Sequence, residues 1–315
     1  MSNKDHGKTI LKNMEKVIIG KTPVLEKVLV CLLARGHVLI EDVPGVGKTT
    51  MVKALARSLN LSFSRIQFTP DLMPADLLGM TIFNRQDNSF AFKKGPIFQQ
   101  IILADEINRT SPKTQSSLLQ AMEEGEVSID GHTYPLKKPF MVLATQNPVE
   151  YQGTFPLPEA QLDRFLMRVS LGYPDAAHEM AIVQQSRHDA LSHLAAVAEE
   201  AELLSMQAAV EQVYAAPEVV QYIVSLVNAS RSHPDIYLGA SPRASIDLLK
   251  SGKALAYIRG RDYVIPDDIK ENLTSVLCHR LMLSAEARIE GKGVETVVLE
   301  LVKKVYTPAV NVHEG

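Results

Sequence analysis

The stretch Asp42-Val43-Pro44-Gly45-Val46-Gly47-Lys48-Thr49 constrains the fold of this chain more than any other. It lies between a short apolar run, Val38-Leu39-Ile40, and a segment of helical periodicity that reaches about residue 59. Glycines in such a turn let consecutive backbone N–H groups face one anion, and the N-terminus of the following helix adds positive potential. The strict phosphate-loop pattern begins with Gly, where this chain has Asp42. The remainder, Pro-Gly-x-Gly-Lys-Thr, is intact. Lys48 is then placed to reach the β- and γ-phosphates of a nucleotide, and the Thr49 hydroxyl to ligate Mg²⁺. A glycine-rich turn with a surface lysine is the plainer alternative, and the strand-turn-helix context weighs against it.

Residues 63–68, 101–104, 140–145 and 165–171 read as further strands. Continuous apolar strands separated by helices imply an α/β fold, a parallel sheet covered on both faces. Asp87-Asn88 and Asp130-Gly131 predict hairpins over 81–92 and 127–134. Thr22-Pro23 predicts a helix start by capping, and Gly36 its stop. A Gly172-Tyr173-Pro174 break divides the chain into an α/β domain over 1–174 and a helical domain over 175–315. In the second part helices are expected at 217–230, 241–259, 266–283 and 293–306, and the Ala- and Glu-rich stretch 195–207 reads as another helix or as a flexible linker.

The second chemical signal is Ile101-Ile102-Leu103-Ala104-Asp105-Glu106, a buried strand ending in adjacent carboxylates. Unpaired buried charge is expensive. Mg²⁺ would compensate Asp105, leaving Glu106 to orient and polarise an attacking water. Asn147, closing the run 140–145, could hydrogen-bond the γ-phosphate or that water without competing for the metal; an Asn-Pro turn is the plainer reading. Arg164 precedes a strand beside Asp163, where a surface ion pair of little energetic value is the alternative. Arg243, in Ser241-Pro242-Arg243, opposes a helix dipole by roughly 0.3–1 kcal/mol, so an anionic partner would explain its placement. Gln67, ending the second strand, is a candidate partner for Glu106 or a simple strand polar residue.

These motifs together resemble the MoxR family of AAA+ ATPases. The matching stretches are 41–49, Leu103-Ala104-Asp105-Glu106-Ile107-Asn108-Arg109, Ala144-Thr145-Gln146-Asn147-Pro148, 158–165 and Gly239-Ala240-Ser241-Pro242-Arg243-Ala244. The resemblance implies an AAA+ P-loop NTPase, with a parallel sheet sandwiched by helices and a C-terminal all-α lid domain. It implies ATP and Mg²⁺ as ligands, hydrolysis as the reaction, and nucleotide contacts from Asp42 through Thr50 and from Gly20. By it Asn147 matches sensor 1, Arg164 the arginine finger reaching a neighbouring subunit, and Arg243 sensor 2 on a moving lid. Arg168 remains a competitor for the finger. The hairpin at 81–92 resembles a helix-2 insert and that at 127–134 a pre-sensor-1 hairpin. A six-membered homo-oligomeric ring, a chaperone-like role toward a protein client such as metal-cofactor insertion, and a von Willebrand factor A-type partner are the family expectations.

Composition narrows the alternatives. Among 315 residues, 33 Lys+Arg against 36 Asp+Glu give a net charge of −3, which disfavours a nucleic-acid motor. No apolar run approaches a membrane span, and the polar N-terminus does not read as a signal peptide. Cys31 and Cys278, far apart in apolar segments, suit buried thiols and a cytoplasmic protein. The nine histidines show no metal-ligand spacing. A magnesium-chelatase-type ATPase subunit and a non-hydrolysing nucleotide scaffold are the other readings; Glu106 argues against the scaffold. Met73, Met80 and Phe83 could contact a partner, although core packing is the default expectation.

Overall fold

The computed structural model describes residues 3–85, 88–147, 153–184 and 187–309. Its central strands are β1 (Val38–Glu41), β2 (Phe63–Gln67), β5 (Ile101–Asp105), β8 (Met141–Gln146) and β9 (Met167–Val169). They form a five-stranded sheet in the order β2-β5-β8-β1-β9, parallel throughout. Two antiparallel hairpins project from this frame, β3 (Gly79–Asn84) with β4 (Ser89–Lys94) and β6 (Glu126–Ile129) with β7 (His132–Pro135).

Helices α1 (Asn3–Glu15) and α2 (Thr22–Leu33) precede the sheet, and α3 (Lys48–Ser58) follows β1. The short α4 (Pro74–Leu78) leads into the first hairpin, α5 (Pro112–Glu124) into the second, and α6 (Glu159–Leu162) lies before β9. The helical half holds α7 (Ala176–Gln184), α8 (Arg187–Ser192), α9 (Glu200–Glu211) and α10 (Pro217–Arg231). It continues through α11 (Pro242–Ile258), α12 (Pro266–Leu277), α13 (Ala285–Ile289) and α14 (Val294–Lys304). A small antiparallel pair, β10 (Ile236–Leu238) and β11 (Met282–Leu283), is set among them.

Side-chain alternation along the strands sorts the core. Val38, Ile40, Ile101, Leu103, Met141 and Leu143 join α3 in one apolar cluster, which runs on through Tyr222, Leu248 and Leu273 of the helical half. Leu39, Ile102, Ala104, Val142 and Ala144 join α5 in the other. Asp105 therefore has the parity of Leu103 and emerges on the α3 side of the sheet. That parity decides which face of the sheet carries the chemistry.

Several local expectations are corrected. Lys21, not Thr22, is the cap position of α2 and makes no side-chain cap bond; the Thr22 hydroxyl donates to Glu15 instead, while Pro23 still opens the helix. The helix expected over 266–283 stops at Leu277, because Met282 and Leu283 pair with β10. The stretch 195–207 becomes helical only at Glu200, where the Glu202 carboxylate accepts from Glu199 N at 2.8 Å. Asp130 and Gly131 both take left-handed φ, 49° and 79°, as a two-residue hairpin turn requires. Asp87 and Pro148 lie outside the described residues. Cys31 and Cys278 are buried free thiols, and no described helix is long and apolar enough to cross a membrane.

Candidate nucleotide-binding and hydrolysis site

Parallel strands end at one edge, so the loop after β1 and the segments after β5 and β8 meet there. Gly45 and Gly47 take φ of 86° and 96°, values that only glycine adopts without strain, and the space above both is open. Lys48 Nζ donates to the Asp42 carbonyl at 2.9 Å and the Val43 carbonyl at 3.3 Å, folding back over its own loop. A cavity of about 350 Å³ lies elsewhere, against Glu41, Arg168 and Glu295. The loop opens instead into a cavity of about 280 Å³ walled by Pro44–Gly47, Thr50, Ile18, Ile19, Tyr173 and Ile182. Gly20 adjoins that wall with φ of 71°. A Cβ there would meet the His178 ring at 2.6 Å, so the missing side chain lets α7 close over the cavity.

Asp42 is placed differently from a loop glycine. Its buried carboxylate accepts from Leu171 N, Gly172 N at 3.0 Å and Ser170 Oγ at 3.3 Å, tying the loop to the exit of β9. Of Asp42, only the carbonyl takes part in the loop's contact with Lys48.

The two acids are fully engaged. Asp105 Oδ1 accepts from Thr145 Oγ1 at 2.6 Å, and Oδ2 accepts from Arg65 Nη2 at 2.6 Å and Nε at 3.1 Å. Glu106 has φ of 58°, a left-handed conformation costing a non-glycine residue about 1–3 kcal/mol, and its N–H donates to the same Thr145 hydroxyl at 2.9 Å. Its Oε2 accepts from Gln67 Nε2 at 2.6 Å and Arg109 Nη1 at 3.0 Å. Gln67 is thus hydrogen-bonded to Glu106. Asn147, half-buried, follows β8 beside this pair of acids. Thr49 lies in the first turn of α3 and Asp105 on the α3 side of the sheet. Hydroxyl and carboxylate are hard oxygen donors, and Asp105 Oδ2 already draws a cation; the donor set fits Mg²⁺.

The expected arginines occupy the other edge, where strands begin. Leu166 N donates to the His37 carbonyl at 2.9 Å, just before β1, so Arg164 sits at the amino end of the sheet. Strands of four residues rising ~3.3 Å each hold this edge on the order of 13 Å from the phosphate loop. Arg164 Nη1 donates to the Leu119 carbonyl at 2.7 Å and lies 3.0 Å from Glu123 Oε2. Arg243 Nη2 donates to the other oxygen of the same carboxylate at 2.8 Å. The Asp163–Arg164 pair does not form. Asp163 accepts from Arg280 Nε at 2.7 Å and Ser241 Oγ at 2.8 Å, and Ser241 Oγ in turn caps α11 at Arg243 N. Arg168 is committed elsewhere, 2.9 Å from Glu41 and 2.5 Å from Glu295.

Behind these arginines, the Arg280 side chain is 1% exposed and bridges Asp163 to Asp247, 2.5 Å away. Burial raises the Asp247 pKa, against the pull of Arg280. His37 and His279 are both held neutral by burial, His37 with its pKa lowered to about 4. A His233, Asp235 and Glu300 group gathers in the helical half, balanced by Lys304 2.9 Å from His233 Nε2 and Lys292 2.9 Å from Asp235.

Arg65, Thr145, Glu123 and Arg280 went unmarked in the sequence. Arg65 and Gln67 did carry a signal, two long polar residues of one parity on a strand. Arg280, a charge inside an apolar stretch, carried another. Glu123 carried none.

Residues 37–167 match the family model "ATPase family associated with various cellular activities (AAA)", and 228–301 match the AAA lid domain. A solved structure of a candidate ATPase from Cytophaga hutchinsonii superposes with a TM-score of 0.90 at 39% identity, covering 98% of this chain and 96% of that one. The fold and site define an AAA-type ATPase with its lid. The uncharacterized protein YeaC of Bacillus subtilis (strain 168) is 50% identical over 96% of this chain and 94% of its own length. Chaperone MoxR1 of Mycobacterium tuberculosis is 40% identical over 95% of this chain and 81% of its own. The chain belongs to the MoxR family of AAA+ ATPases.

Proposed function

We propose that this ATPase works as a homo-oligomeric ring in which each ATP site is completed by a neighbour, and that the ring remodels a protein client. The carrying observation is the separation of the arginines from the phosphate loop. Arg164 and Arg243 sit at the amino edge of the sheet on one glutamate, while the loop and acids sit at the carboxyl edge. A site that uses both must draw the arginines from another copy. Head-to-tail contacts of that kind close into rings, and six members is the number proposed.

Within one such site the loop amides after Val43 and the Lys48 ammonium bind the β- and γ-phosphates. Thr50, beside them in the cavity wall, and the main chain around Gly20 bound the nucleotide. Mg²⁺, held by Thr49 and Asp105, supplies neutralisation of the phosphate charge. Glu106, released by Gln67 and Arg109, orients the attacking water and accepts its proton. Asn147 positions the water or the γ-phosphate. Arg164 and Arg243 of the adjacent subunit stabilise the charge that develops on transfer. Asp42 acts through its carboxylate as the anchor of the loop. The division at 174/175 then separates an ATP-binding body from a lid that carries one arginine.

For the client, the first hairpin supports a protein. The rings of Phe83 and Phe90 pack at 5.2 Å in a tilted contact with Phe90 76% exposed, and Met73, Met80 and Ile82 are also exposed. The group expected as core is surface, and apolar surface of this kind suits a polypeptide. The net charge of −3 keeps nucleic acid out of the reading. Chaperone-like maturation in the cytoplasm, such as metal-cofactor insertion with a von Willebrand factor A-type partner, is the form we propose for that work.

The test is a mixing experiment. Arg164→Ala and Glu106→Gln should each abolish hydrolysis alone, and their mixture should regain part of it, because some interfaces then hold one intact set. No recovery at any ratio would break the shared-site reading. A pull-down with the Glu106→Gln form and ATP then identifies the client.

A further inference from the structure

We propose that Arg65 is a built-in counter-ion that occupies the metal-binding oxygen of Asp105 and must be displaced before a divalent cation can bind. The inference rests on the ATPase reading above and adds to it a residue that sets the metal requirement.

Asp105 has two oxygens, and each has its own partner. Oδ1 is taken by the Thr145 hydroxyl at 2.6 Å, a contact that is buried and also anchors the Glu106 N–H. Thr145 is 1% exposed, so its hydroxyl has no solvent to turn to. Oδ2 is therefore the oxygen left for a metal, and Arg65 grips it twice, through Nη2 at 2.6 Å and Nε at 3.1 Å. Arg65 lies on the edge strand β2 with its side chain 49% exposed, whereas the Asp105 side chain is 12% exposed. The acid is fixed and the cation is free to swing into water. Half of the guanidinium side chain is already in water, so its release needs no opening of the core.

A guanidinium and a divalent cation cannot share one oxygen, because like charges at such a distance repel strongly. A cation arriving alone has to expel Arg65 and gains only Asp105 and Thr49. One arriving with a polyphosphate brings its own compensating charge to Lys48 and the loop amides. Arg65 thus makes the site selective for metal that comes with nucleotide. Its departure also removes a donor from Gln67 Oε1, 3.2 Å away, so metal entry loosens the residue that holds Glu106.

The test uses Mn²⁺ as the probe, titrated into the nucleotide-free full chain and followed by the electron paramagnetic resonance of free Mn²⁺. Arg65→Gln, which keeps length and polarity but drops the charge, should bind Mn²⁺ at least about tenfold more tightly than wild type. Arg65→Met serves as a second uncharged variant should the first fold poorly, and Arg65→Lys should stay near wild type. Asp105→Asn added to Arg65→Gln should erase the gain. Equal or weaker Mn²⁺ binding by both uncharged variants overturns the proposal. Wild type that fails to hydrolyse ATP with Mg²⁺ would instead break the ATPase reading, and the Mn²⁺ titration reads independently of it.

Discussion

The two edges of the sheet mirror each other in charge. At the carboxyl edge two acids, Asp105 and Glu106, are held by Arg65, Gln67 and Arg109. At the amino edge two arginines, Arg164 and Arg243, are held by one acid, Glu123. In the scheme proposed above, each edge is an incomplete site whose charges are neutralised by side chains with substantial exposure. Such partners suppress the cost of a lone charge and are cheap to exchange, since exposed pairs contribute little. The contrast with Arg280 is instructive. Its side chain is 1% exposed between two aspartates, an arrangement built to stay.

The largest test of this symmetry removes one working group from each edge. Arg164→Ala should lower the turnover of the assembled enzyme by about 10³-fold or more, and Glu106→Gln by roughly 10²–10⁴-fold. Both should retain ATP binding in an equilibrium assay. Loss of binding in the Arg164 variant would place that arginine in the wrong half of the scheme. Next comes the fixed pair. Arg280→Leu should leave Asp163 and Asp247 uncompensated and cost about 3–5 kcal/mol in denaturant unfolding. A cost near that of a surface substitution would erase the distinction between exchangeable and permanent pairs.

Stability at the amino edge should depend on pH through His37. His37 Nδ1 accepts from Val142 N at 3.0 Å, and Nε2 faces the Met122 carbonyl, beside Glu123, at 3.1 Å. Burial lowers its pKa from 6.5 to about 4. The folded state therefore refuses a proton that the unfolded chain accepts below 6.5. The contribution is complete above pH 6.5 and lost as pH falls from there toward 4, at most about 3 kcal/mol. His279, lowered also by burial, acts in the same direction. Thermal unfolding between pH 7.5 and 5 should show the drop, and His37→Asn should flatten it. A wild-type midpoint independent of pH would refute the neutral-histidine account. The smallest effect concerns the restraint itself. Glu123→Gln frees both arginines and should raise turnover by about two- to fivefold; a fall would make Glu123 part of the working site.

Much of the scheme was legible in the chain. The phosphate loop, the adjacent acids and the turn of the second hairpin are local patterns, in which residue type and backbone conformation are bound together over a few positions. Gly47 and Gly131 are examples, each needed at a positive φ. Boundaries failed where tertiary pairing intervened, as at Leu277, beyond which the chain turns to join β10.

The sequence alone determined which chemical groups exist, in what order, and that a parallel sheet would gather some of them at one edge. Only the tertiary structure decided their partners. Arg65 reaches Asp105 across forty positions, and Glu123 collects Arg164 and Arg243 from two halves of the chain. Those pairings depend on strand order and on which helix packs behind which strand. The physical reason is range: turn and capping preferences act between neighbours, whereas charge compensation acts between whatever the packed core brings within about 3–4 Å.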